Sequence, residues 1–195
     1  MSVKTYSMAT QRNLALSANF HVREFACKDG SDRVLIDDAL VSVLQKVRTH
    51  FNKAVTINSA YRTSSYNKKV GGSSNSQHCK GTAADIVVKD TDPLAVALYI
   101  ASLPEFAAKG GIGYYSRANL KAGFVHVDTR SWSSRWISKS GTAYVSVSKI
   151  MPTIKKGARD NSNGISYAVT ALQRHLGITA DGIFGANTET KVKEF

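Results

Sequence analysis

The chain has 195 residues and a net charge of +12, from 26 Lys and Arg against 14 Asp and Glu. An apolar share of 43% and a charged share of 21% are those of a soluble globular protein and exclude a disordered chain. Two cysteines are too few for a disulfide scaffold, and no window approaches the ~20 apolar residues of a membrane-spanning helix.

The length leaves room for one medium domain and a small one, or for one larger domain. The positive charge points to a polyanionic partner, for which nucleic acid, anionic envelope polymers and phospholipid headgroups all qualify. No arginine-rich run or recognition-helix motif favours nucleic acid.

Met1 to Ser17 is polar with scattered basic residues, lacks the apolar core of a secretory signal and is expected as a loosely held arm. The expectation is therefore synthesis in the cytoplasm. Phe20 and Phe25 are large apolar side chains expected in the core, and His21 between them is read as structural. From Asp37 to Phe51, Leu40, Val43, Leu44 and Val47 recur at helical spacing, with acids at the helix start and His50 at its end.

Ala54 to Ser59 reads as a strand that delivers Tyr61 and Arg62 into the following loop. Val70 to Ser76 is a Gly/Ser-rich turn stretch in which Gly71 and Gly72 allow close backbone approach to a substrate. Ser76 is expected to hydrogen-bond near the site that follows.

That site begins at His78 and Asp85, seven residues apart with Gly and Ala between them. Imidazole and carboxylate are common Zn²⁺ ligands, and a catalytic zinc takes three protein ligands with one position open. Gly123 to Arg130 is an alternating run of strand type, so His126 and Asp128 share a face, and His126 supplies the third candidate. Cys79 is read as a small buried side chain rather than a ligand or nucleophile.

Between them, Ile86 to Val88 continues as a buried strand, Asp92-Pro93 opens a helix to about Leu103, and Gly110 to Tyr115 forms a turn and strand. The tyrosines of that strand, Tyr114 foremost, are expected to border the cleft, with at least one of the pair packed in the core. Trp132 and Trp136 suit either stacking on a sugar or peptide, or closing the core.

Ser76-x-His78-x-x-Gly81-x-Ala83-x-Asp85 followed by a distant His126 resembles the M15 family of zinc D-alanyl-D-alanine peptidases, which includes L-alanyl-D-glutamate phage lysins. Ile57 to Thr63 and Asn67-x-x-Val70-Gly71-Gly72 resemble its M15A-like C-terminal-domain branch, and the likeness covers roughly residues 18 to 130. The resemblance implies an α+β fold of the hedgehog/DD-peptidase type with a mainly antiparallel sheet. It further implies Zn²⁺ held by His78, Asp85 and His126, with Arg62 steadying the substrate's carbonyl or carboxylate.

Many M15 enzymes place Asp or Glu three residues before the last His, where this chain has Gly123. Asp128 is the candidate general base, against a competing role in orienting an imidazole or pairing with Arg130.

Beyond Ser148 the composition shifts, and residues 149–164 read as a linker after a catalytic domain at 18–148. Leu172-Gln173 with Asp181-Gly182-Ile183-Phe184-Gly185-x-x-Thr188 resembles the small three-helix peptidoglycan-binding domain of cell-wall hydrolases, so 165–195 is expected as a small all-α module. About 40 residues is marginal for independent folding, and the module is expected to pack on the catalytic domain.

The combined resemblance implies a monomeric phage endolysin, made in the host bacterial cytoplasm and acting on peptidoglycan. Its rivals are a D,D-carboxypeptidase, a virion-associated lysin, and a catalytically inactive wall-binding or tail-structural module.

Overall fold

A computed structural model describes residues 2–115, 123–138, 144–146, 154–160 and 168–194. The expected α+β architecture is present. Six strands form one sheet in the order β3-β4-β6-β5-β7-β8, made of Val55–Ser59, Ala83–Val88, Phe124–Asp128, Gly111–Tyr115, Ser134–Ser138 and Tyr144–Ser146. Its neighbours are antiparallel except β5 and β7, which run parallel.

One face of this sheet carries the apolar core. Ile86, Val88, Val125, Val127 and Ile112 alternate onto it from three strands and meet two helices, α2 (Asp38–Phe51) and α4 (Pro93–Ala101). Helix α2 starts where the buried Asp37 carboxylate accepts from the Ala39 amide, and it ends on Asn52 in the left-handed conformation. Its Leu40, Val43, Leu44 and Val47 are the buried stripe that helical spacing predicts. Asp37 also accepts from Thr129 Oγ1, which ties the helix start to the residue after β6.

Helix α4 opens on Asp92, whose side chain accepts from Leu94 N at 2.8 Å, with Pro93 in the first turn. Arg135 lies on this packed side of β7 and donates to the carbonyls of Phe106 and Gly110.

Two expectations are corrected. Residues 1–17 are not a loosely held arm: β1 (Val3–Ser7) pairs antiparallel with β2 (Arg33–Asp37), and α1 (Met8–Gln11) follows directly. Tyr6, Met8 and Leu16 pack against the core, although β1 itself is largely exposed. A polar ribbon of this kind lacks the apolar alternation by which strands are recognised.

The second correction concerns the linker, of which only 154–160 is described. Arg159 bridges Ile183, Gly157 N donates to the Phe184 carbonyl, and Phe184 N donates to the Ala158 carbonyl. Asp160 accepts from the amides of Val169 and Thr170 at the start of α5 (Ala168–His175). These residues are therefore built into the C-terminal segment, which also holds α6 (Ala186–Glu194) and places α5 beside α4.

Candidate metal centre

The free face of the sheet gathers the polar residues. Asp85 of β4 sits directly opposite His126 of β6, and residues opposite one another in an antiparallel pair share a face. His78 arrives from a short 3-10 turn, Gln77–Lys80, whose first amides are capped by Ser76 Oγ accepting from His78 N at 3.3 Å. The turn ends on Gly81 at φ +72°, where any side chain would overlap the Leu35 backbone.

Three atoms converge here. His126 Nδ1 lies 2.9 Å from Asp85 Oδ1 and 3.3 Å from His78 Nε2, and the latter is 3.4 Å from Asp85 Oδ1. A tetrahedral zinc with bonds near 2.0–2.1 Å separates its ligand atoms by about 3.3 Å. The three side chains are all buried and together are able to hold a metal ion.

Each ligand is held from behind. His78 Nδ1 is 2.7 Å from the Ala60 carbonyl, which only accepts, so that nitrogen carries the proton and Nε2 keeps its lone pair. His126 Nε2 is 3.0 Å from Asp128 Oδ2, which leaves Nδ1 as the lone-pair atom. Asp85 Oδ2 accepts from Arg62 Nη2 at 2.7 Å, which leaves Oδ1 to the centre. The donor chemistry fits a cation, because three lone-pair atoms turned toward one another repel unless positive charge lies between them.

Without a metal, shared protons take the place of that positive charge between the donors. Burial alone would raise the Asp85 pKa, but hydrogen bonds with His126 and His78 outweigh it and hold the carboxyl well below the usual range. Burial would lower the His126 pKa, yet its hydrogen bonds with Asp128 and Asp85 outweigh burial and raise it. Asp128 resembles Asp85: the cost of burial is overcome by His126 and Arg130, and its carboxyl stays ionised far into acid.

A cleft of about 840 Å³ opens over the three donors. Val70 to Ser73, Asn75 and Ser76 of the glycine-rich segment line it. Aromatic side chains from β5, β6 and β7 line it as well. Tyr115 stacks on Phe124 at 4.2 Å, and Trp136 donates through Nε1 to the Tyr115 hydroxyl at 3.0 Å. The Trp136 ring lies 5.1 Å from that of His126, and the Arg130 guanidinium sits over both Trp132 and Trp136.

The structure brings most sequence candidates to this cleft. Arg62, Gly71, Gly72 and Ser76 all line it. Arg62 donates Nε to Ser59 Oγ at 2.8 Å as well as Nη2 to Asp85, so its guanidinium is fixed in place. Gly72 is required by the fold itself, because a Cβ there would overlap the buried Asn67 side chain. Ser76 serves as the cap of the His78 turn rather than as a partner of the three donors.

Tyr114 is a correction. It pairs with Val125 and packs against the core, whereas Tyr115 pairs with Phe124 and lines the cleft. The strand's period of two puts Tyr115 on the face of Gly113 and His126, and a sequence does not reveal that phase without the register.

Asp128 is fully buried behind His126. Both of its oxygens are engaged: Oδ2 with His126 Nε2, and both with the Arg130 guanidinium, including Nε to Oδ1 at 2.7 Å. That is the geometry of a residue orienting an imidazole. Gly111 opposes it in β5, and a Cβ there would overlap the Asp128 carboxylate.

Cys79 is half-buried, outside the donor group, and its thiol pKa is pushed up by burial. His50 stacks on Tyr99 at 3.8 Å and is not among the residues that line the cleft. Ser59, Ala60 and Asn67 lie inside the motifs at Ile57 to Thr63 and Asn67 to Gly72, but sequence alone assigns them no individual role. Those motifs were the available signal for them.

Comparison with protein families agrees with this geometry. The family model described as Peptidase M15 matches residues 17–128. No curated protein matches the chain.

Proposed function

Because the chain belongs to the Peptidase M15 family, we propose that it is a zinc-dependent peptidase acting on the stem or cross-link peptides of bacterial peptidoglycan. The observation that carries this reading is the convergence of His78 Nε2, Asp85 Oδ1 and His126 Nδ1 beneath an open cleft. Zinc bound by these atoms would polarise a scissile carbonyl and activate water for attack.

The chain's own residues supply the rest. Asp128 and the Ala60 carbonyl hold the two imidazoles in the tautomers that face the centre. Arg62, tethered to Asp85 and Ser59, stands at the cleft to hold the substrate's carbonyl or carboxylate with its planar donor fork. The aromatic side chains from β5 to β7 offer flat surfaces to peptide or sugar.

A phage endolysin is the biological role that best unites these features. It would be synthesised in the host cytoplasm, act as a monomer, and be drawn to anionic envelope polymers by the +12 charge. The C-terminal segment would then anchor the enzyme to peptidoglycan, as its resemblance to wall-binding modules suggests.

A second reading, a zinc-stabilised wall-binding or tail-structural module, is favoured by residue 123. Gly123 stands where related enzymes carry an acid, and a Cβ there would press against the Tyr115 carbonyl and Pro93. The local backbone thus leaves no room for that acid.

Mass spectrometry of purified peptidoglycan incubated with the zinc-loaded protein separates the two readings. New stem-peptide termini, absent with His126→Ala, are expected and identify the bond cut. Zinc-loaded protein that leaves the peptides intact would contradict the peptidase reading and favour the binding module.

A further inference from the structure

The cleft is unevenly charged. Among the described residues that line it, Arg62, Lys80 and Arg130 are cationic and Asp85 is the only carboxylate. Asp85 is already committed to Arg62 and the two imidazoles. Arg130 is likewise committed to Asp128. Lys80 differs from both arginines, because it is exposed and forms no ion pair among the described residues.

Its position is also fixed. Lys80 is the last residue of the 3-10 turn that carries His78, and Gly81 after it is clamped beneath Leu35. The backbone that sets one metal donor therefore also sets the root of the Lys80 side chain. An uncompensated ammonium beside a cleft attracts an anion, and the anion a peptide substrate offers is a carboxylate.

We infer that Lys80 is a specificity-determining residue that selects peptides bearing a free carboxylate next to the scissile bond. This rests on the peptidase reading for the identity of the ligand. The one cation beside Tyr115, Phe124 and the two tryptophans is Arg130, whose charge is already matched by Asp128, so the discrimination falls to Lys80.

The chain's two tryptophans, Trp132 and Trp136, both line the cleft, so intrinsic fluorescence reports its occupancy without requiring turnover. The test titrates zinc-loaded protein with N-acetyl-L-alanyl-D-glutamate and with the same dipeptide amidated at both carboxyls. The diacid is expected to bind more tightly than the diamide. Lys80→Gln should lose on the order of fivefold in affinity for the diacid, while Lys80→Arg keeps most of it. Added salt should weaken the diacid alone.

Equal binding of diacid and diamide, or a preference unchanged in Lys80→Gln, would overturn the inference. Hydrolysis of a longer acidic peptide is scored separately. A Lys80-dependent preference without any hydrolysis would sustain the carboxylate site and remove the peptidase reading.

Discussion

At the scale of single residues, the account turns on how each donor is held. The Ala60 carbonyl, Arg62 and Asp128 each occupy the atom of a ligand that does not face the centre. Asp128 is the most demanding, since it is fully buried and stands between His126 and Arg130. Asp128→Asn is expected to weaken zinc binding by roughly 10–100-fold, the usual effect of removing a partner behind a metal ligand. Competition with a chelating dye measures this directly. Unchanged zinc affinity combined with abolished turnover would instead make Asp128 the general base, the role that the sequence alone left open.

At the scale of elements, the site depends on strand register. Gly111 and Gly113 of β5 face Asp128 and His126 across the β5–β6 pair, and their missing side chains make room for the Asp128 carboxylate and the Trp136 indole. Gly113→Ala would drive a methyl group into that indole. It is expected to destabilise the protein by about 1–3 kcal/mol in urea unfolding and to alter the near-ultraviolet circular dichroism of Trp136. An unchanged midpoint and spectrum would show that the packing of β5 against β7 is looser than described. The same dependence on register explains what could be read in advance. His78, Asp85 and His126 were legible because a short motif and one alternating strand contain them. Which of Tyr114 and Tyr115 faces the cleft is not legible, because adjacent residues face opposite ways and only pairing fixes the phase. The β1 ribbon escaped notice because its exposed residues carry no apolar rhythm. The Ala60 carbonyl escaped because a backbone group bears no signature in a sequence.

At the scale of the whole molecule, one sheet separates two tasks. Its packed face, with α2 and α4, provides rigidity, and its free face presents the three donors to an open cleft. The C-terminal segment is organised separately around Gln173, which is buried. Its side chain donates to Asp181, the Ile183 carbonyl and Thr188, and it accepts from Gly182 N. The residues that carry the resemblance to a wall-binding module, Gln173, Asp181 and Thr188, are thus also the hydrogen-bonded centre of this segment. The proposed peptidase activity rests on the three-donor centre. The most direct test is metal analysis of the protein after dialysis against trace zinc, beside His78→Ala, Asp85→Ala and His126→Ala. The account predicts about one zinc per chain for the unaltered protein and a large loss in every variant. Full zinc content in any of the three variants, or none in the unaltered protein, would contradict it.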